Sequence, residues 1–208
     1  MIKLVYGGSG SGKSKFAEQL AVSCNALRTY YVATMQVYDD EGRKKVERHR
    51  KLRAGKCFIT IESPVDIGAA AREIVDGAQS DESRQVATSS KTAVLLECVT
   101  NLVANEMFPP ESEDGQLGSN GGIEESVVVA RIISGLEELF SGVDDVVIVS
   151  GNVFEDGAEY EESTRAYMRA LGAVNAFIAS KADEVYEVVA GIPLKIAQSC
   201  YSAKIAGA

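Results

Sequence analysis

Eight consecutive residues near the start of the chain restrict its fold more than any other stretch. Residues 7–14 read GGSGSGKS and match the pattern G-x-x-x-x-G-K-[ST] at every fixed position, directly behind the apolar run Ile2 to Tyr6. Phe16, Leu20 and Cys24 then recur at helical spacing. Strand, glycine-rich loop and helix in this order predict a loop that binds phosphate. A Gly/Ser-rich linker is the alternative interpretation, but a linker gives no reason for Lys-Ser between a strand and a helix.

The residue types in the loop explain the prediction chemically. Glycines allow backbone N–H groups to turn inward around a polyphosphate. Lys13 is placed to reach the β- and γ-phosphates, and Ser14 to ligate Mg²⁺ where the positive end of the helix dipole faces the anion. The candidate nucleotide-binding residues of the loop are Gly7, Gly8, Ser9, Gly10, Ser11, Gly12, Lys13 and Ser14.

Composition narrows the class of protein. The 208 residues include 21 Lys and Arg against 30 Asp and Glu, a net charge of −9 that disfavours a general nucleic-acid binder. The first strand follows Met1 at once, which leaves no room for a signal peptide, and no apolar run approaches the roughly 20 residues that span a bilayer. We therefore expect a cytoplasmic protein with no membrane span. The four cysteines have no C-x-x-C spacing, so neither a zinc site nor a redox motif is indicated, and the three in apolar surroundings are expected to be reduced core residues.

Thr29 to Ala33 is rich in β-formers and predicts a second strand. That strand would deliver Thr34, Met35 and Gln36 to the carboxyl edge of the sheet. Open parallel sheets bind their ligands at this edge.

The chain's one histidine, His49, lies in the basic stretch RHRKLR at residues 48–53. It falls inside a charged segment that opens at Asp39 and predicts a helix running to about Arg53. On a helix, Lys45 and Arg53 lie four residues either side of His49 and share its face. In an acidic protein, this basic patch favours phosphate binding. A solvated charged face with an incidental histidine is the alternative.

Two further strands are predicted before the middle of the chain. Phe58 to Glu62 alternates like a strand, and Ser63 is placed to cap a following helix that continues through Ile74. Ala93 to Glu97 is a short apolar run of the kind that forms a buried parallel strand. It ends in a carboxylate, so Glu97 is the candidate for a second metal-binding residue. A surface acid at a strand end is the alternative.

The rest of the chain continues the alternation of strands and helices. A helical stripe at Val129, Ile133, Leu136 and Phe140 precedes a strand at 145–150, a helix carrying Tyr167, Leu171, Val174 and Ile178, and a hairpin of 184–189 with 192–196. Polar, Gly- or Ser-rich stretches near 79–91 and 109–122 predict flexible loops. The pattern predicts one domain over residues 1–208 with a three-layer α/β fold, a mainly parallel sheet and a C-terminal β-hairpin.

Several separated stretches together resemble one family, the bifunctional adenosylcobinamide kinase/adenosylcobinamide-phosphate guanylyltransferases of cobalamin biosynthesis. The matching residues are the opening strand with Gly7 to Ser14, Tyr31-Val32-Ala33-Thr34, Asp40-Glu41, His49-Arg50 and Arg53, Thr60, Glu62-Ser63-Pro64, Leu95-Leu96-Glu97-Cys98, Arg165, Arg169, Gly172, Asn175, Gly191 and Lys195-Ile196. The phosphate loop alone is found in many families, but a phosphate loop at the N-terminus followed by a basic helix with a histidine is specific to this family. The resemblance covers nearly the whole chain apart from the two polar loops.

The resemblance implies a fold like that of the recombinase-type ATPases, commonly assembled as trimers. It implies that His49 is guanylylated by GTP and passes GMP to a corrinoid phosphate, with GTP, ATP and Mg²⁺ as cofactors and adenosylcobinamide and its phosphate as substrates. Beyond the phosphate loop, the nucleotide-binding residues it implies are Ala33, Thr34, Met35, Arg50, Lys51, Leu52, Arg53, Glu62 and Glu97, with Ser14 and Glu97 at Mg²⁺.

The chain departs from the family pattern at two places. Gly151-Asn152-Val153-Phe154 replaces the usual Asn-Glu-Val-Gly run, so Asn152 stands in place of an acid, and Ala170 stands where an Asp is usual. Both changes bear on the kinase reaction or on the corrinoid pocket more than on the guanylyl transfer. A phosphate-loop kinase without nucleotidyl transfer and a GTP-binding regulatory protein without turnover are the competing hypotheses.

Overall fold

The computed structural model describes residues 1–36, 58–79, 91–109, 124–154 and 157–198. Its strands are β1 (Ile2–Gly7), β2 (Arg28–Ala33), β3 (Phe58–Glu62), β4 (Thr92–Glu97), β5 (Asp145–Gly151), β6 (Glu184–Val189) and β7 (Ile192–Gln198). They form one seven-stranded sheet in the order β3-β2-β4-β5-β1-β6-β7. Every neighbouring pair is parallel except β6 with β7, which form an antiparallel hairpin at one edge of the sheet.

The described helices are α1 (Lys13–Ser23), α2 (Ile67–Gln79), α3 (Val99–Met107), α4 (Glu125–Gly142) and α5 (Glu162–Lys181). They divide unequally between the two faces of the sheet. Ile74, Leu102, Leu136 and Leu171, from α2 to α5, belong to one apolar core on the first face. On the opposite face, α1 packs through Ala17 and its neighbours against a smaller core. We call these the four-helix face and the α1 face.

The burial of the central strands shows that helices cover the sheet on both of its faces. Every residue of β4 and of β5 is buried, as expected for parallel strands that helices cover on both sides. Alternate side chains serve the two cores: Val94 and Leu96 face the four-helix side, whereas Leu95 faces the α1 side. Among the described helices, none is both long and apolar enough to cross a membrane.

The predicted strands, the hairpin and the predicted helices of the described segments are confirmed, with three differences. Helix α3 was not predicted. Helix α2 begins at Ile67, and its cap is Asp66, whose Oδ1 accepts the Ala69 N–H at 3.0 Å, so the expected cap at Ser63 is wrong.

The third difference concerns α4. Its buried stripe is Val128, Ile132 and Leu136, whereas Val129 and Phe140 are only partly buried beside it. Two apolar rows run along this helix, and sequence spacing alone did not indicate which row faces the sheet. The helix predicted around His49 and both polar loops lie outside the described residues.

Candidate active site

The phosphate-loop sequence forms the turn that its residue types predict. Strand β1 ends at Gly7, and α1 begins at Lys13 behind Gly12, whose φ of 92° lies in the left-handed region that favours glycine. The Ser11 N–H donates to the Gly8 oxygen at 3.3 Å, and the Lys13 ammonium donates to the same oxygen at 3.0 Å. The lysine side chain is therefore held over the loop at the N-terminus of α1.

The turn of the β6–β7 hairpin supports the loop from outside. The Gly191 N–H donates to the Ser11 oxygen at 2.8 Å. A Cβ on Gly12 would lie 3.3 Å from the Cα of Gly191, and a Cβ on Gly7 would lie 2.6 Å from the Val188 oxygen. Glycine is thus required at position 7 by close packing against β6. The loop and the hairpin form one packed unit.

Glu97 lies at the end of β4 beside the loop. It is 8% exposed, which rules out the alternative of a surface acid. Its Oε1 accepts a hydrogen bond from the Ser14 hydroxyl, and its Oε2 accepts one from the Tyr31 hydroxyl at 2.9 Å. These donors offset part of the cost of burying a carboxylate. The structure therefore brings together the two residues that the sequence assigned to Mg²⁺.

Three of the predicted residues form a row at the carboxyl edge. Ala33 pairs with Glu62 of β3 on one side and with Glu97 of β4 on the other. The side chains of all three lie on the face of the sheet that packs against α1, because alternate residues of a strand share a face. The Glu62 side chain is exposed and Ala33 is half-buried. The row leads from the phosphate loop towards the sheet edge at β3.

Thr34 is turned away from that row. It is fully buried, its Oγ1 donates to the Cys98 oxygen at 2.8 Å and accepts the Cys98 N–H at 2.7 Å, and its N–H donates to the Glu97 oxygen at 3.0 Å. Its own carbonyl accepts a hydrogen bond from Asn105 at 2.8 Å. Thr34 therefore connects β2 to β4 through both its backbone and its side chain.

Comparisons with known proteins point to one family. A family model described as cobinamide kinase / cobinamide phosphate guanyltransferase matches residues 3–196. The bifunctional adenosylcobalamin biosynthesis protein CobU of Escherichia coli strain K12 is 30% identical over 196 residues, which cover 94% of this chain and 99% of that protein. The chain belongs to the cobinamide kinase / cobinamide phosphate guanyltransferase family.

Two further relatives carry related names. The CobU protein of Salmonella typhimurium strain LT2 is 28% identical over 204 residues, covering 94% of this chain and 99% of its own. The CobP protein of Pseudomonas aeruginosa strain PAO1 is 25% identical over 198 residues, covering 94% of this chain and 97% of its own. A solved structure titled as an ATPase domain aligns with a TM-score of 0.50 at 9% identity, covering 89% of this chain and 68% of that one. That likeness shows the fold alone, an α/β fold that is consistent with the predicted phosphate-loop fold.

The departures from the family pattern have local structural roles. Asn152 begins the segment after β5, where its N–H donates to the Gly7 oxygen at 3.0 Å and its Oδ1 accepts the Phe154 N–H at 3.2 Å. The side chain thus closes a turn beside the phosphate loop. Ala170 is fully buried in the four-helix core, where a carboxylate would need a partner.

Two polar side chains that contact Thr100 at the start of α3, Cys98 and Tyr167, stay neutral at pH 7. Burial raises the pKa of the Cys98 thiol, and its sulfur lies 2.8 Å from the Thr100 hydroxyl. Burial also raises the pKa of Tyr167 to about 12. Cys24 and Cys98 are both free thiols and both are half-buried.

Some predicted residues cannot be placed, and others were missed. His49, Arg50, Lys51, Leu52 and Arg53 lie outside the described residues. Sequence reasoning did not identify Tyr31 as a donor to Glu97, nor Asn105 as a donor to Thr34. The only available indication for Tyr31 was its position, two residues before the expected end of a strand and on the same face as Ala33.

Proposed function

We propose that the protein phosphorylates adenosylcobinamide with ATP or GTP and then transfers GMP from GTP to adenosylcobinamide phosphate, giving adenosylcobinamide-GDP. The observation that carries the proposal is the contact between Ser14, at the start of α1, and the buried carboxylate of Glu97, in a chain that matches the family over residues 3–196. This contact joins Ser14 of the phosphate loop to Glu97, the candidate second metal-binding residue, at the carboxyl edge of the sheet.

The guanylyl transfer would proceed through His49 in two displacements. An imidazole nitrogen of His49 attacks the α-phosphorus of GTP, a P–N bond forms, the bond to the bridging α–β oxygen breaks, and pyrophosphate leaves while the imidazole releases its N–H proton. The phosphate oxygen of the corrinoid then attacks the same phosphorus, the P–N bond breaks, and the imidazole regains a proton. A covalent nucleophile divides one difficult transfer into two easier steps.

The remaining roles follow the chemistry of each residue. Lys13 would neutralise charge on the transferred or leaving phosphates, as Arg50, Lys51 and Arg53 would at the α-phosphate. Ala33, Met35, Leu52 and Glu62 would contact the nucleoside.

A hydroxyl and one carboxylate, Ser14 and Glu97, fit Mg²⁺, which usually takes one or two protein ligands together with substrate phosphates. Within the described segments, no group of three or more His, Cys, Asp or Glu side chains is placed to hold a metal ion. When bound, Mg²⁺ would supply charge neutralisation of the phosphates.

We also place the protein in the cytoplasm as a homotrimer. The support for the trimer is the family resemblance. The location rests on the biosynthetic role of the family.

A pair of variants tests the function. The parent protein, incubated with GTP labelled at the α-phosphate, should acquire a covalent label that is acid-labile and alkali-stable, as expected of a phosphoramidate. His49→Asn should abolish the label and the guanylyl transfer but keep GTP binding and kinase activity. Lys13→Ala should lose both reactions, because each needs a bound triphosphate, with a loss of several kcal/mol of transition-state stabilisation.

The competing hypotheses give different patterns in the same assays. Kinase activity on another hydroxylated substrate, with no covalent label, would identify a phosphate-loop kinase without nucleotidyl transfer. Tight GTP binding with neither pyrophosphate release nor corrinoid product would identify a regulatory protein. If His49→Asn forms adenosylcobinamide-GDP at the parent rate, the histidine has no catalytic role.

A further inference from the structure

We propose that Asn105 of α3 is a positioning residue that sets the geometry of the nucleoside-binding part of the site. This inference rests on the proposed function, because it assumes that the carboxyl ends of β2 and β3 contact the nucleoside. Asn105 lies on the four-helix side, beneath those ends, and does not belong to the row of Glu62, Ala33 and Glu97. Its role is therefore to hold the segments that touch the ligand.

One amide group joins three parts of the chain. The Asn105 Nδ2 donates to the Thr34 oxygen at 2.8 Å and to the Pro64 oxygen at 2.9 Å. Thr34 follows the last residue of β2, and Pro64 follows β3 by two residues. A single side chain in α3 thus fixes both segments where they leave the sheet.

The two hydrogen bonds of the Asn105 amide, which we call the Asn105 tie, lie where the regular pairing of β2 with β3 ends. Strands β2 and β3 pair as far as Ala33 with Glu62, and the Ser63 N–H then donates to the Ala33 oxygen at 2.9 Å. Beyond this point the described backbone bonds between the two segments stop, and the Asn105 amide supplies the next connection. It acts one residue away from both Ala33 and Met35, the predicted nucleoside contacts.

The chemistry of the amide is specific for this task. A neutral NH₂ group offers two donors from one nitrogen, and both are directed at carbonyl oxygens here. An aspartate of the same shape would place an acceptor against two acceptors and would push the segments apart. The neighbouring Glu106 strengthens the support, because its Oε1 accepts the Asp66 N–H at 2.8 Å. The last turns of α3 therefore hold residues 63–66 at two points.

The phosphate loop does not depend on this tie. Residues 7–14 are supported by the hairpin turn through Gly191 and by Glu97 through Ser14. A change at Asn105 should therefore alter binding of the nucleoside and leave binding of phosphates alone. This separation distinguishes a positioning role from a general loss of structure.

The experiment compares two ligands on full-length variants. Binding of GTP and of inorganic tripolyphosphate, each with Mg²⁺, is measured by calorimetry on the parent, on Asn105→Asp and on Asn101→Asp. The control applies the same substitution one turn earlier on α3, at a side chain for which no hydrogen bond is found within the described part of the chain. We expect Asn105→Asp to weaken GTP binding at least tenfold with tripolyphosphate binding within twofold of the parent, and Asn101→Asp to change neither.

The remaining outcomes overturn the inference or the function separately. Equal weakening of both ligands in Asn105→Asp, or unchanged binding of both, removes the positioning role. If Asn105→Asp does not fold, Asn105→Ser, which keeps one donor, decides in its place, with a smaller selective loss of GTP binding expected. A parent protein that binds neither ligand contradicts the proposed function itself, whatever the variants do.

Discussion

At the scale of single residues, burial distinguishes the two acids of the candidate site. Glu97 is 8% exposed and accepts hydrogen bonds from Ser14 and Tyr31, whereas Glu62 is exposed in the same row. A carboxylate removed from water keeps its charge only if donors replace the water. We infer that Glu97 is held in one orientation for a cation, while Glu62 lies at the surface.

Tyr31→Phe tests the orientation of Glu97. The substitution keeps the ring, which packs edge-on against Phe58, and removes only the hydroxyl that donates to Glu97 at 2.9 Å. Hydrogen bonds to charged groups contribute about 1.5–3 kcal/mol, so we expect a loss of unfolding free energy in that range, together with weaker binding of GTP with Mg²⁺. Urea denaturation and calorimetry measure the two effects.

The neighbouring tyrosine provides the control. Tyr30 is equally buried but faces the four-helix side, and its hydroxyl accepts only a long bond of 3.4 Å from Arg28 among the described contacts. Tyr30→Phe should cost at most about 1 kcal/mol and leave nucleotide binding unchanged. Equal losses in the two variants would show that the Tyr31 hydroxyl has no special role.

At the scale of secondary-structure elements, the phosphate loop depends on the hairpin as well as on its own sequence. Strand β6 passes so close to Gly7 that the Val188 oxygen would lie 2.6 Å from a Cβ there, and the Gly191 N–H completes the contact at Ser11. The last two strands of the chain therefore shape a loop at its beginning. This explains why a C-terminal hairpin belongs to the site.

A comparison of Gly7→Ala with Gly8→Ala distinguishes the effect of close packing at residue 7 from the general effect of replacing a flexible glycine in the loop. The new methyl group at position 7 would meet the Val188 oxygen at 2.6 Å and the Ser11 hydroxyl oxygen at 2.9 Å, whereas one at position 8 would meet nothing within 4 Å. We expect Gly7→Ala to lose about 1–3 kcal/mol of unfolding free energy and Gly8→Ala to change it by less than about 0.5 kcal/mol. Thermal denaturation without nucleotide makes the comparison, and similar stabilities would contradict it.

Sequence patterns predicted those elements whose residues carry a clear period or turn. The loop at residues 7–14, the apolar strand that ends at Glu97 and the hairpin around Gly191 all follow from local chemistry. Helix α3 was missed because it follows β4 after a single residue, so the apolar run of the strand continues into Val99 and hides the change of period.

Hydrogen bonds between residues that lie far apart in the sequence could not be predicted from local sequence patterns. The partners of Asn105 lie 71 and 41 residues away, and no local pattern predicts which carbonyls an amide will meet. The same holds for Thr34. Its position at the carboxyl edge favoured a ligand contact, and no local pattern predicted that its hydroxyl would bond to Cys98.

At the scale of the whole molecule, the four-helix face contains the larger apolar core and the carboxyl edge contains the candidate site. Most of the buried apolar side chains of α2, α3, α4 and α5 belong to one core. Ion pairs connect these helices both at a buried acid and at an exposed acid. Arg131 of α4 contacts Glu106 of α3 at 2.7 Å, where the acid is 4% exposed, and Arg72 of α2 contacts Glu138 of α4 at the same distance, where the acid is 44% exposed.

Arg131→Met and Arg72→Met compare the two ion pairs. Removal of Arg131 leaves a buried carboxylate with the Asp66 N–H as a donor, so we expect a loss of about 2 kcal/mol of unfolding free energy. Removal of Arg72 leaves an acid that water can solvate, and we expect a loss of at most about 1 kcal/mol. Urea denaturation at pH 7 measures both. A larger loss for Arg72→Met, or equal losses, would mean that burial of Glu106 does not govern the strength of the contact between α3 and α4.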